Sequence, residues 1–101
     1  MAIVEISIVP LGTEGTSLSA YVAKALTILH QTSLDYELTA MGTIISGDIE
    51  QIWDVLKQMH ESCFQLDAPR VLTHIKIDDR RDKAGSPEQK IRAVLDKLPA
   101  V

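Results

Sequence analysis

The sequence contains little of what disulfide-bonded, metal-binding or base-stacking proteins need. Cys63 is the only cysteine among 101 residues, which excludes an intramolecular disulfide and a metal site built from several cysteines. Aromatic residues make up 4% of the chain and are dispersed, so they predict no platform on which nucleic-acid bases would stack. The three histidines have none of the short spacings of helical zinc ligands. We expect neither a metal site nor a required cofactor.

Long apolar runs and a surplus of positive charge are also absent. No segment approaches the roughly 20 apolar residues of a membrane-spanning helix, and the N-terminus has no basic segment of the secretory kind. Ten basic residues against 14 acidic ones give a formal net charge of −4, which disfavours nucleic acid and anionic membranes as partners. We therefore expect a cytoplasmic protein without a nucleic-acid or membrane partner.

What the sequence does contain is the composition of a small globular domain. Hydrophobic residues make up 46% of the chain and charged residues 24%, which is neither a disordered nor a fibrous composition. At this length we expect a single domain over residues 1–101. So small a domain buries a modest share of its surface, so association between copies would add stability.

Two hydrophobic periodicities alternate along the chain. Period-two alternation predicts strands at residues 2–10, 35–40, 43–47 and 70–78. A tight turn at Met41-Gly42 would join the second strand to the third. Spacings of three and four predict helices at about 17–32, 49–65 and 87–97. This order predicts an α+β fold: a ferredoxin-like βαββαβ sandwich with a four-stranded antiparallel sheet and an extra C-terminal helix.

Capping residues mark the predicted helix starts. Thr16 or Ser17 would cap the first helix, and Asp48 the second. Ser86 followed by Pro87 is typical of a helix N-terminus and marks the third. The second helix has a predicted buried stripe, made up of Ile49, Ile52, Trp53, Leu56, Met59, His60 and Cys63.

The predicted sheet has one face that the two crossover helices leave uncovered. Polar side chains are expected there, at Glu5, Ser7, Glu37, Thr39, His74 and Lys76. Apolar residues are interleaved with them, namely Ile3, Val9 and Leu72. The simplest way to cover a face of this mixed kind is a second copy of the chain, so we expect a homodimer through the sheet face.

Three groups of residues could carry chemistry. Loop 12–19 brings hydroxyls and backbone N–H groups to a helix N-terminus, which suits a polar or anionic ligand group or merely caps the helix. Segment 76–83 holds four cations and three acids, typical of a self-neutralising surface or an intersubunit ion-pair network. On the apolar stripe, His60 is expected to be a hydrogen-bonded core histidine and Cys63 an inert thiol. A small enzyme using Asp78 or His60 as acid–base group would lack a recognisable nucleophile.

Several segments, taken in order, resemble the small thiamine-binding protein family. They are residues 5–12, 16–22, 36–38, 41–43, 60–61 and 70–83. The resemblance extends from residue 4 to about residue 98. The chain departs from the family pattern at Ser46, where a glutamate is expected, and at Ser33, where a glycine is usual.

The resemblance implies a non-enzymatic protein that binds thiamine or its hydroxymethylpyrimidine moiety. It also implies dimers built sheet against sheet, and commonly a dimer of dimers. We expect the pocket between loop 12–19 and turn 41–43, near a subunit boundary. The expected ligand-binding residues are Ser7, Thr16, Ser17, Ser19 and Thr43 as hydrogen-bonding groups, Tyr36 and Met41 as walls, and Glu37 as a partner for the thiazolium cation. The alternative is a structural or regulatory oligomer with no dedicated ligand, in which segment 70–83 serves assembly.

Overall fold

In a computed structural model, which describes residues 1–15, 18–83 and 85–99, the described chain forms four strands and three α-helices. The strands are β1 (Ala2–Leu11), β2 (Asp35–Leu38), β3 (Thr43–Gly47) and β4 (Arg70–Asp79). The helices are α1 (Ser19–His30), α2 (Ile49–Ser62) and α3 (Pro87–Leu95), and a 3-10 turn at Phe64–Leu66 follows α2. None of the helices in the described part of the chain is long and apolar enough to span a membrane.

The four strands form one antiparallel sheet in the order β2-β3-β1-β4. β1 is a central strand, and it pairs with β3 from Ala2 to Ile6 and with β4 along its whole length, from Ala2 to Leu11. The alternation of β-branched residues in β1 explains why one side of this strand is buried and the other partly exposed. This topology confirms the predicted ferredoxin-like α+β sandwich.

The core lies between the sheet and the helices α1 and α2. Its largest buried side chains are aliphatic or methionine and come from both layers, namely Val4, Ile6, Leu29, Ile45, Ile52 and Met59. Each aliphatic side chain buried in this way contributes about 1.5–3 kcal/mol of transfer free energy. This layer fixes the position of α1 over β1, which matters for the cavity described below.

Trp53 belongs to the predicted buried stripe of α2 but lies outside the core, with 51% of the residue exposed. The buried positions of α2 centre on Ile52, and Trp53 follows it by about 100° around the helix axis. Val55 lies closer to the buried side and is 4% exposed. The prediction of a buried Trp53 is therefore wrong.

Two of the three predicted helix caps are confirmed. The Asp48 carboxylate accepts a hydrogen bond from the Gln51 N–H, and the Ser86 hydroxyl accepts one from the Gln89 N–H, both at 3.2 Å. In α1 the N-cap is Leu18, which makes no side-chain cap hydrogen bond, and the predicted cap residues Thr16 and Ser17 lie outside the described residues. The carbonyl of Leu18 instead accepts the first helical bonds directly.

The connection between β2 and β3 is longer than predicted. β2 ends at Leu38 rather than at residue 40, and Leu38 pairs with Thr43, so residues 39–42 form a four-residue loop. The Thr39 side chain explains the early end of the strand, because its hydroxyl binds backbone groups of the loop itself.

Most of the sheet face opposite α1 and α2 is open. Pairing across the sheet places Ile3, Glu5, Ser7 and Val9 on this face, as predicted. α3 reaches the face through an ion pair between Lys90 and Asp78. The aliphatic side chains of α3 and of the turn after it are more than half exposed, at Ile91, Val94, Leu95 and Leu98. The described chain therefore presents an amphipathic helix whose larger aliphatic side chains are mostly exposed.

Candidate functional site

The two halves of β1 differ in their neighbours. From Ala2 to Ile6 the strand has β3 on one side and β4 on the other, whereas from Ser7 to Leu11 it pairs with β4 alone. β1 is ten residues long and β3 is five, so the sheet has a step where β3 begins at Thr43. A cavity of about 300 Å³ occupies this step.

The walls of this cavity come from β1, from the 39–42 loop with the adjacent ends of β2 and β3, and from α1 and α2. The C-terminal half of β1 forms one side and the 39–42 loop the opposite side. α1 lines it through Val22 and Leu26, the N-cap residue of α1 through Leu18, and α2 through Met59. Because Leu18, Val22 and Leu26 are four apart in sequence, they lie on one face of the helix, and this face points toward β1. The sequence thus folds into a cavity within the size range of small-molecule sites.

The 39–42 loop is held in one conformation by Thr39. Its hydroxyl donates to the Gly42 carbonyl at 2.8 Å and accepts from the N–H groups of Met41 and Gly42 at 3.2 and 3.1 Å. The Thr39 N–H also donates to the Gly42 carbonyl, at 2.8 Å. Met41 is thereby held at the mouth of the cavity, with 84% of the residue exposed.

Gly42 closes the loop against β1. A Cβ atom at this position would lie 2.9 Å from the Ile6 carbonyl oxygen, closer than real Cβ atoms approach. The loop can therefore lie against the strand only because residue 42 has no side chain.

No charged residue is found in the described lining of the cavity. Its lining among the described residues consists of aliphatic and methionine side chains, glycine, and the three hydroxyl residues Ser7, Thr39 and Thr43. Thr43 is 5% exposed and Ser7 is half-buried. Such a surface is suited to a neutral, flat group that makes a few hydrogen bonds.

The predicted site residues are distributed over three places. Ser7, Met41 and Thr43 line the cavity. Ser19 is the first residue of α1 and follows Leu18, which lines the cavity, but is not itself part of the lining. Thr16 and Ser17 lie outside the described residues.

Tyr36 and Glu37 do not line the cavity. The Tyr36 hydroxyl is 2.8 Å from Nδ1 of His30 on α1, so this side chain ties the edge strand to a helix. Glu37 is exposed, and its pairing with Ile44, which in turn pairs with Glu5, puts it on the open face. The structure thus brings these two residues to other parts of the molecule.

Sequence reasoning did not include Thr39 among the site residues. A signal existed, since a threonine three residues before a glycine, between two strands, is typical of a side chain that hydrogen-bonds its own turn. Met59 was predicted as a core residue and proves to line the cavity as well. That dual role depends on helix packing, and no local pattern indicates it.

The other candidate groups have structural partners. Nδ1 of His60 is 2.7 Å from the Thr73 hydroxyl, and its ring packs edge-on against Phe64 with centroids 5.6 Å apart. Burial raises the pKa of the Cys63 thiol above its ordinary value, and the hydrogen bond with Ser62 only partly opposes this. His60 is therefore hydrogen-bonded as predicted, and Cys63 favours its unreactive thiol form.

The charged segment at the end of β4 and just after it pairs largely within itself. Arg80 binds Asp82 with two hydrogen bonds, of 2.6 and 3.0 Å, and Arg81 binds Asp79 at 2.7 Å. The Arg81 hydrogen bond, supported by its charge, lowers the pKa of the Asp79 carboxyl. Within the described ranges, no group of three or more histidine, cysteine or acidic residues could hold a metal ion.

Comparison with known proteins points to one family. A family model described as "Thiamine-binding protein" matches residues 4–95. The UPF0045 protein YqgV of Bacillus subtilis is 44% identical over 98 residues, which cover 93% of this chain and 94% of the relative. A UPF0045 protein of Staphylococcus xylosus is 43% identical over 98 residues, covering 93% and 92% of the two chains.

Solved structures with the same fold agree with this match. A protein of Methanocaldococcus jannaschii superposes with a TM-score of 0.83 at 39% identity, covering 94% of this chain and 96% of that one. A Thermotoga maritima protein described as a candidate for thiamine biosynthesis or salvage superposes with a TM-score of 0.77, covering 92% and 97%. Its identity is 24%, so this second likeness shows the fold alone.

Proposed function

The chain belongs to the thiamine-binding protein family, and from this premise we propose that it binds thiamine or the hydroxymethylpyrimidine moiety of thiamine without catalysing a reaction. The observation that carries the proposal is the cavity of about 300 Å³ at the step in the sheet, whose described lining carries no charge. It lies beside the turn where the family resemblance led us to expect a ligand. The proposal includes a cytoplasmic location.

The chemistry of the lining suits binding. Thr43, which pairs with Ile6 on the helix side of the sheet, brings a hydroxyl group that can donate to or accept from a heterocycle, and Ser7 lines the cavity from the next position along β1. Met41, held by the Thr39 loop, forms an adaptable apolar wall. The described lining offers no acid, base or thiol that could transfer a proton or attack a substrate. We therefore assign the ligand contacts to Ser7, Met41 and Thr43, and we keep Ser17 as a predicted contact to be tested.

The proposed working form is an oligomer of this chain. The open face carries Val9 and Leu72, of which Leu72 is 44% exposed, and α3 adds its own exposed aliphatic side chains. Ser46 also lies on this face, paired with Ile3, so the missing family glutamate concerns this surface rather than the cavity. We propose that a second copy covers the face and that two such dimers associate.

Calorimetric titration of the purified protein tests the binding. Thiamine, hydroxymethylpyrimidine and thiamine diphosphate are titrated separately, and saturable heat at micromolar affinity or better, about −8 kcal/mol, is expected for at least the first two. Thr43→Ala and Ser17→Ala should each weaken binding by about tenfold, as expected for the loss of one hydrogen bond to the ligand. Ser33→Ala, at an exposed site away from the cavity, is the control.

Unchanged affinity in both variants would contradict the placement of the site. Absence of heat with all three ligands, from protein shown to be folded, would contradict the proposed function.

A second candidate is an oligomeric structural or regulatory protein without a dedicated ligand. The exposed aliphatic stripe of α3 favours it, because contiguous apolar surface of this kind marks an interaction site. Val94→Asp should then split the oligomer in light scattering, whereas Lys97→Asp, at an exposed position just after α3, should not. If the dissociated protein still binds thiamine, ligand binding does not depend on assembly.

A further inference from the structure

The backbone of Ile8 points into the cavity. The Ile6 carbonyl oxygen lies beside Gly42, on the β3 side of β1. In an extended strand, the N–H and C=O groups of alternate residues point to the same side. Ile8 therefore directs one donor and one acceptor to the side where β3 has ended, and Ile8 is one of the residues that line the cavity.

These two groups have no sheet partner. The pairing of β1 with β3 ends at Ile6, and over the described residues no loop or side chain forms a hydrogen bond with the Ile8 backbone on this side. Pro10, two residues further along the same edge, has no N–H to offer and is tolerated because no strand pairs there. Partly buried backbone groups without partners are uncommon and are well placed to bind a ligand.

We propose that the N–H and C=O of Ile8 bind the edge of the aminopyrimidine ring, an inference that rests on the proposed function. The 4-amino group of this ring is a donor and the adjacent ring nitrogen is an acceptor, which complements the acceptor and donor of one extended residue. The ring thus hydrogen-bonds to the exposed edge of β1 in the way that a short additional strand would.

The thiazolium half of thiamine then stays outside. It carries a fixed positive charge, and burying a charge without a counter-ion is strongly unfavourable. The described lining holds no carboxylate to offset it, and Glu37 is not part of that lining. The cavity therefore selects the neutral ring, and phosphate groups beyond the thiazolium have little effect on affinity.

Ligand analogues test this assignment on the unmodified protein. Oxythiamine replaces the 4-amino group by an oxo group and so reverses the donor–acceptor pattern, whereas pyrithiamine keeps the aminopyrimidine and changes only the cationic ring. We expect oxythiamine to bind at least about tenfold more weakly than thiamine, and pyrithiamine to bind within about threefold of it. Equal affinity for oxythiamine and thiamine would overturn the Ile8 proposal and leave the proposed function standing. Absence of binding by all of them would overturn both.

Two measurements address Ile8 directly. Ile8→Pro removes the N–H without breaking a sheet hydrogen bond and should weaken hydroxymethylpyrimidine binding at least about tenfold, whereas Ile8→Val keeps the N–H and should bind normally. If Ile8→Pro does not fold, amide hydrogen exchange on the wild-type protein decides. Hydroxymethylpyrimidine should slow exchange of the Ile8 amide at least about tenfold and leave that of Val9, which faces β4, unchanged. An Ile8 amide whose exchange is unaffected by saturating ligand would overturn the proposal.

Discussion

The two halves of β1 have the same alternating sequence pattern and different surroundings. Up to Ile6 the strand lies between two neighbours and its inward side chains are fully buried, whereas beyond Ile6 it has β4 alone and borders an open cavity. The cavity is therefore a consequence of strand length, because β3 is only half as long as β1. A site that arises in this way presents main-chain groups as well as side chains to a ligand.

The surroundings of the two halves also differ in charge. Under α3, beside Ile3 at the start of β1, is a second hollow of about 360 Å³, and its lining includes Asp78, Arg80 and Lys90. The described lining of the cavity at the other half carries no charge. One end of the strand is thus suited to ion pairs, within the chain or between copies, and the other to a neutral ligand.

Truncation of one isoleucine in each half should give the largest contrast. Ile6→Ala should cost about 3–4 kcal/mol, because Ile6 is 2% exposed and truncation leaves a void in the core. Ile8→Ala should cost about half as much, since Ile8 is only partly buried against the same core. Urea unfolding of both variants measures the difference. Equal costs would mean that the second half of the strand is as well packed as the first.

The junction between the halves can be broken at Gly42. Gly42→Ala would put a Cβ 2.9 Å from the Ile6 carbonyl oxygen, and displacement of loop or strand should cost about 1–3 kcal/mol. Gly85→Ala is a matched control, because its Cβ would meet nothing closer than a side-chain oxygen at 3.8 Å. Similar melting temperatures for the two variants would contradict the close contact between loop and strand.

The fold could be predicted from the sequence because each element has its own local signal. Alternation in β1 and β4, and the caps Asp48 and Ser86, are properties of a few adjacent residues, and the structure confirms them. Trp53 was misassigned because a periodic pattern locates a stripe without fixing its edges. The N-cap of α1 is Leu18, whose side chain has no hydrogen-bonding group, so a capping signal does not mark this helix start.

The position of the cavity could be predicted only in part. The turn at Met41 indicated its location, and Ser7 and Thr43 line it. The lengths over which two strands pair are set by tertiary packing, so the exposed edge at Ile8 has no signature in its own sequence. The placement of Tyr36 beside His30 likewise depends on how close α1 lies to an edge strand.

Removal of the Thr39 hydroxyl should loosen the loop that separates the halves. Thr39→Val keeps the shape of the side chain and loses the hydrogen bonds to Met41 and Gly42, which should cost about 1 kcal/mol in urea unfolding. Thr39→Ser keeps the hydroxyl and is the control. If binding depends on Met41 at the mouth of the cavity, Thr39→Val should also weaken thiamine binding. A Thr39→Val variant that is as stable as Thr39→Ser and binds thiamine as tightly would show that the loop does not need the Thr39 hydrogen bonds.

The smallest effect is expected at the charged end of the strand. Asp79 pairs with Ala2 across the sheet, and its hydrogen bond with Arg81 lowers its pKa in the folded protein. A carboxyl with a lowered folded pKa adds stability above its unfolded pKa, about 3.9, and loses that contribution as the pH falls through the folded value. Asp79→Asn should therefore unfold at a slightly lower urea concentration than wild type at pH 7, and the difference should disappear in strong acid.

The matched control for this ion pair is Asp82→Asn, which makes the same change in charge. The Asp79 side chain is 25% exposed and that of Asp82 is 68% exposed, so water screens the second pair more fully. We expect a smaller shift of the urea midpoint for Asp82→Asn, and high salt should reduce both shifts. Equal shifts that persist in high salt would mean that the substitutions act through packing and not through charge. The charged end of β1 would then differ from the uncharged end in its surroundings but not in how charge affects stability.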